Sequence, residues 1–345
     1  MNKHLSYILP VVLVTAIWFI SKYAYIHYAY LVDITLPITA VILVGLHINI
    51  VRFITELNQK LQIKKQFGSY LSPAMVEKLQ KNPELLKLGG ESRELTIVFT
   101  DVRGFTTISE HYGKDVQGLT KIMNRYMTAM TAKIIENEGT LDKYIGDAQM
   151  AFWNAPLDDP NHAKNAVRTA LQMMESLDAF NKEVTAEGIP AFGMGLGINT
   201  GVVVVGNMGS SQRFDYTCLG DSVNLASRLE GQSKPYGVKM ILGPDTAAQV
   251  KDEFPTVELD CIAVKGKTEG VRIYTLAAYH QDHYKLHKKY LLSYYNGDWE
   301  AAMFFAGQLR LDGPTEMRQY YSNMIERMEQ GKPEDWSGTY KATSK

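Results

Sequence analysis

Residues 95–107, LTIVFTDVRGFTT, constrain this chain more than any other stretch. An apolar, β-branched run reaches a carboxylate at Asp101, passes through Gly104 and turns into a helix start. A second stretch at 141–152, LDKYIGDAQMAF, reads as a short strand that turns at Gly146-Asp147 into another apolar run. If the two strands are neighbours, Asp101 and Asp147 sit at one end of one sheet. Two hard oxygen ligands there, beside a helix N-terminus, suit magnesium holding a polyphosphate.

The surrounding periodicity places these stretches in a fold. A strand at 95–99 is followed by a long helix at 119–138 with Ile122, Tyr126, Met130 and Ile134 on one face. Then come a hairpin (140–145 and 149–153), a helix (163–184), a strand (194–199 with 202–205), smaller elements, a helix at 221–230 and a closing strand at 272–276. Helices segregated over a largely antiparallel sheet predict an α+β, ferredoxin-like βαββαβ core. The 345 residues, 46% of them hydrophobic, suffice for one such domain at 91–278 with attachments. The 36 basic and 37 acidic residues nearly cancel, so the bulk charge gives no reason to expect a nucleic-acid partner. Cys218 and Cys261 lack any CxxC spacing and read as buried thiols in a reducing compartment.

The flanks have a different character. Residues 5–20 and 34–51 are almost free of charge and approach spanning length, which predicts a transmembrane helical hairpin over 1–54. No small-residue cleavage site follows the first stretch; Tyr23, Tyr25, Tyr28 and Tyr30 follow instead, as in an interfacial belt. Lys3 on one side and Arg52, Lys60, Lys64 and Lys65 on the other, against Lys22 alone between, place both ends and the catalytic domain in the cytoplasm. In the connector at 55–90, Ile54, Leu57 and Leu61 continue one helical stripe that a second copy would cover, and Ser72-Pro73 marks a helix start before the break at 88–90. Beyond His280, aromatic-rich helices at 290–296, 298–311 and 315–329 read either as a repeat-like helical region over 279–345, which should pack on the catalytic domain or on a second copy, or as a plain helical tail. His280, His283 and His287 fall at helical spacing and read as a solvated helix side rather than a zinc site.

Three segments, FTDVRGFT at 99–106, DKYIGDAQMAFW at 142–153 and YTCLGDSVNLASRLE at 216–230, together resemble the class III nucleotidyl cyclases over roughly 91–277. The connector FGSYLSP and the terminal GDWEAA and EDWSGTYKATSK are similar to those of bacterial membrane-bound cyclases in which a CHASE2 sensor precedes the membrane helices. The resemblance implies that Asp101 and Asp147, with the Val102 carbonyl, bind two Mg²⁺ or Mn²⁺ ions. One ion would lower the pKa of the ATP 3′-hydroxyl while the other holds the β- and γ-phosphates. It further implies that the amides at Gly104, Phe105 and Thr106 meet phosphate oxygens. Asn224 would orient the ribose, Arg228 would stabilise the five-coordinate α-phosphate, and Lys265 would hold the departing pyrophosphate.

Lys143 occupies the family's base-reading position. An ammonium group only donates, adenine N1 only accepts and guanine N1 donates, so lysine there implies adenine. Thr217 holds the partner position, where many adenylyl cyclases carry aspartate. Because a hydroxyl both donates and accepts, it is expected to discriminate less sharply, with some GTP use. In this family the metal aspartates come from one subunit and the base-reading and transition-state residues from the other, so one chain carrying both sets implies a head-to-tail homodimer with shared sites. The expectation is a membrane-anchored adenylate cyclase making 3′,5′-cyclic AMP from ATP. A guanylate cyclase and a catalytically silent nucleotide-binding dimerisation module are its rivals.

Overall fold

The computed structural model describes residues 5–30, 32–68, 76–77, 80–81, 90–209, 214–263 and 270–341. It divides into two units, Met1–Ser69 and Tyr70–Lys345. In the first, helices α1 (Leu5–Tyr28) and α2 (Thr35–Phe67) pack on each other. Gly45 permits their close approach, since a Cβ there would lie 3.1 Å from the Pro10 ring. Two windows, Pro10–Tyr28 and Thr35–Leu61, are long and apolar enough to cross a membrane. The first helix runs on through Tyr23, Tyr25 and Tyr28 instead of ending near residue 20, because no glycine or proline interrupts that stretch. Ile54, Leu57 and Leu61 lie on α2 itself and are exposed. The expected helix start at Ser72-Pro73 and most of the break at 88–90 fall outside the described residues.

The second unit is an α+β fold. Its first half runs β1 (Glu91–Arg103), α3 (Phe105–Tyr112), α4 (Val116–Glu136), β2 (Thr140–Ile145), β3 (Ala148–Trp153), α5 (His162–Ala186) and β4 (Gly193–Gly209). Then come β5 (Phe214–Leu219), α6 (Asp221–Gln232), β6 (Met240–Leu242), α7 (Pro244–Val250), β7 (Thr256–Ala263) and β8 (Val271–Leu276). The sheet order is β2-β3-β1-β4-β6-β8-β7, with β5 paired to β4, and its first four strands are antiparallel in the ferredoxin-like arrangement.

Strand β1 is buried on both faces, which is why it reads as a continuous apolar run. Val98 and Val102 join Tyr126, Met130, Val167, Phe180 and Phe192 beneath α4 and α5. Leu95, Ile97 and Phe99 meet Val203, Val223 and Ala226 on the other side. The face of α4 defined by Ile122, Tyr126, Met130 and Ile134 is buried as its spacing requires. Strand β4 is one element where the sequence shows two, because pairing with β1 carries it through Gly201, which opposes Leu95. Strand β6, helix α7 and strand β7 are too short or too irregular in pattern to read from sequence.

Helix α6 lies almost against the backbone of β4. A Cβ at Gly197 would come within 2.2 Å of the Glu230 amide and 2.3 Å of the Ala226 carbonyl oxygen. Neither atom can retreat, both being helix backbone. Gly197→Ala is therefore expected to destabilise the fold by at least ~1–3 kcal/mol, read as a lower urea midpoint at an unchanged slope. An unchanged midpoint would mean that α6 does not sit this close. Asn199 adds a tie by donating from Nδ2 to the Ser222 carbonyl at 3.0 Å.

The C-terminal helices α8 (Gln281–Tyr295), α9 (Trp299–Asp312) and α10 (Arg318–Glu329) lie on this same unit. Tyr290, Tyr294, Ala306 and Tyr320 share one core with Leu259 of β7, Ile273 of β8 and Leu225 and Leu229 of α6. A terminal strand, β9 (Tyr340–Lys341), pairs with β7. Within this layer the fully buried Asp260 accepts from the Tyr236 hydroxyl at 2.5 Å and from Arg327 at 3.0 Å. His287 departs from the solvated reading: it is buried, with Nδ1 2.8 Å from the Tyr321 hydroxyl and Nε2 2.7 Å from the Glu258 carbonyl. Burial pushes its pKa down to about 4, so it is neutral and both nitrogens are already engaged. Cys218 is buried, whereas Cys261 is only half-buried.

Candidate active site

Asp101 stands near the end of β1, where Gly104 turns the chain with a left-handed φ of 84° into α3. The first intrahelical bond runs from Ile108 N to Gly104 O, so the amides of Phe105 and Thr106 have no acceptor within the helix. Asp147 occupies the tight turn between Ile145 and Ala148, after Gly146 with φ 68°. Thr100 pairs with Gln149 across β1 and β3, so the two carboxylates share one end of the sheet. Beside them a cleft of about 580 Å³ is lined by Phe105, Met123, Met127, Tyr144, Gly146 and Asp147, among others.

Burial, and then the negative charge of Asp147, raise the pKa of Asp101. The Arg103 guanidinium offsets this only in part. Among the described residues no group of three or more His, Cys, Asp or Glu side chains gathers to hold an ion. Two carboxylates whose remaining ligands are backbone carbonyl, water and substrate phosphate fit Mg²⁺, which keeps several waters and favours few protein ligands. Glu230, on α6, feels the same field. Burial and the charge of Asp101 push it up to about 7, opposed by Arg103. Arg103 itself is fixed by donating to Ser233 Oγ at 2.5 Å and the Val238 carbonyl at 2.8 Å. Glu230 closes the 216–230 segment, but nothing local in the sequence shows that helix α6 brings it into the field of Asp101.

A second cluster forms where β5 meets β2. Lys143 Nζ lies 3.2 Å from Thr217 Oγ1, so the two positions expected to read the base adjoin within one chain. Beneath them lies Asp142, which the sequence reading passed over. It is the extra residue of a β-bulge: Leu141 opposes Ala151, yet Lys143 opposes Met150. The bulge lets consecutive residues turn toward the same place. Thr217 donates to Asp142 Oδ2 at 2.5 Å, and Lys143 Nζ sits 3.1 Å from Asp142 Oδ1. The Asp142 side chain is wholly buried, while that of Lys143 is 44% exposed and so reachable.

Asn224 and Arg228 lie one turn apart on α6, on the side away from Val223, Ala226 and Leu229, which are buried. Among the described residues neither side chain has a hydrogen-bond partner, Asn224 is exposed and Arg228 half-buried. Lys265 lies outside the described residues.

The family model of the adenylate and guanylate cyclase catalytic domain matches residues 90–278. The chain belongs to this family. The match takes in Asp101, Lys143, Asp147, Thr217, Asn224 and Arg228. The cyclase chain is 38% identical over 201 residues to adenylate cyclase 1 of Rhizobium meliloti (strain 1021), covering 57% of this chain and 30% of that one. It spans less than half the length of the curated relatives that it matches. Among solved structures, it is similar to the adenylyl cyclase CyaB from P. aeruginosa, with TM-score 0.51, 33% identity and coverage of 56% of this chain and 99% of that one. It is also similar to the guanylyl cyclase Cya2, with TM-score 0.50, 32% identity and coverage of 56% and 96%. Both activities therefore occur among the proteins that this cyclase chain resembles.

Proposed function

We propose that the chain is a membrane-anchored adenylate cyclase that converts ATP to 3′,5′-cyclic AMP and pyrophosphate at sites shared between two copies. The observation that carries the choice of base is the adjacency of Lys143 Nζ and Thr217 Oγ1 at 3.2 Å. Lysine offers a donor, where adenine N1 accepts and guanine N1 would oppose it with another donor. A buried mismatch of this kind costs about 1–3 kcal/mol.

In this reading Asp101, Asp147 and the Val102 carbonyl hold two Mg²⁺ or Mn²⁺ ions. Such ions, once bound, supply positive charge to the 3′-hydroxyl and the phosphates. The amides of Gly104, Phe105 and Thr106 cradle phosphate oxygens at the start of α3. Asn224 orients the ribose, Arg228 carries the extra negative charge on the five-coordinate α-phosphate, and Lys265 retains the pyrophosphate. Two copies are needed because each site draws on both halves. Supporting this, Asn224 and Arg228 have no side-chain partners within the described chain. Exposed apolar residues also stand on β2 (Tyr144 and Ile145), β4 (Val202 and Val204) and β5 (Leu219). The two apolar helices would anchor the dimer with the catalytic domain in the cytoplasm, and the exposed Ile54, Leu57 and Leu61 stripe would pair its copies. An upstream sensor domain of the kind that precedes similar connectors belongs to the same reading.

The purified full chain in detergent with Mn²⁺ is expected to release cyclic AMP from ATP faster than cyclic GMP from GTP. A reversed preference would make it a guanylate cyclase. Absence of both products would leave the nucleotide-binding module as the better account.

A further inference from the structure

We infer that Asp142 is a specificity-determining positioning residue, holding the Thr217 hydroxyl so that it presents only an acceptor to the base. The inference rests on the cyclase reading and deepens it. A threonine hydroxyl has one proton. Here that proton is directed to Asp142 Oδ2 at 2.5 Å, and the carboxylate is buried where no water competes for it. The oxygen is left with its lone pairs, one of which faces Lys143 Nζ at 3.2 Å. The other can receive only a donor. The exocyclic amino group of adenine is a donor, and the O6 of guanine in the same orientation is an acceptor.

Asp142 acts on both readers at once. Its Oδ1, 3.1 Å from Lys143 Nζ, keeps the ammonium group over the cluster but does not exhaust its three protons. The pair thus shows one donor and one acceptor, matching N1 and N6 of adenine and clashing with N1–H and O6 of guanine. This reverses the expectation that threonine discriminates poorly here. An isolated hydroxyl would rotate to suit either base, but one tied to a buried carboxylate does not. Burial raises the Asp142 pKa above the ordinary carboxylate value, and the contacts with Thr217, Lys143 and the Cys218 amide offset part of that rise. The bulge between Leu141 and Lys143 makes the geometry possible by turning two adjacent residues into one cluster.

Asp142→Asn tests the assignment. A carboxamide has one acceptor oxygen where the carboxylate has two, and its NH₂ would avoid the ammonium group and face Thr217. The hydroxyl would then accept from the amide and free its proton for guanine O6. The ratio of kcat/KM for ATP to that for GTP is expected to fall by roughly tenfold or more. Adding Thr217→Asp to that variant restores an obligatory acceptor and should return the preference for ATP. Parallel loss with both nucleotides at an unchanged ratio, not repaired in the double variant, would overturn the assignment by showing that Asp142 only supports the fold. If Asp142→Asn is inactive with both but the double variant recovers ATP turnover, the assignment stands. An unmodified protein that turns over neither nucleotide overturns the cyclase reading and this assignment together, whereas an active one with an insensitive ratio overturns the assignment alone.

Discussion

Asp101→Ala and Arg228→Ala proteins, each inactive alone, are expected to regain cyclase activity when produced together. Removing Asp101 takes away one of the two carboxylates at the end of β1 and β3 that are proposed to hold the ions, leaving only Asp147 of that pair. Removing Arg228 takes away the cation proposed to meet the developing charge, a loss of roughly 10²–10³ in kcat for one such donor. If each site draws its aspartates from one copy and its arginine from the other, a mixed dimer has one doubly damaged site and one intact site. Random pairing makes half of the dimers mixed, so recovery should approach about a quarter of the unmodified rate. Activity in lysates from co-expression, with dimers captured through two different tags, measures this directly. Mixed dimers that are present, folded and still silent would sink the shared site.

Replacement of Lys143 with glutamate should have the second largest effect. The new carboxylate would face the lone pair of adenine N1, where both groups accept, and could instead take the N1–H of guanine. It would also strip the buried Asp142 of the cation 3.1 Å away and set a second negative charge beside it. Catalytic efficiency with ATP should fall by ~10–100-fold, with GTP falling less or gaining. Competition between the two nucleotides in one reaction reads the ratio independently of enzyme concentration. A ratio that does not move would remove Lys143 from base recognition.

How much of this was legible depended on how local each feature is. The end of β1 was readable because the apolar run, Asp101 and the left-handed Gly104 follow one another within a few residues, and Gly146-Asp147 announces its own turn. The buried face of α4 followed from one period. Asp142 escaped because two adjacent charged residues in a strand look like one residue on each face, and only a bulge, set by pairing with β3, turns both to one cluster. His287 reads as solvated from its spacing for a related reason: the Tyr321 hydroxyl that covers it comes from a helix 34 residues on. Glu230 is pushed up to about 7 by burial and then by aspartates more than 80 residues away in sequence. Period and spacing describe one element at a time, and these three residues owe their surroundings to several.

The tail layer over α6 sets a limit on where the enzyme can be cut. Trimming the chain at residue 278, where the family match stops, would strip α8, α9 and α10 from Leu225, Leu229, Leu259 and Ile273. The helix bearing Asn224 and Arg228 would then be wet on its rear side, so a minimal fragment drawn to the family boundary starts out already half-undressed.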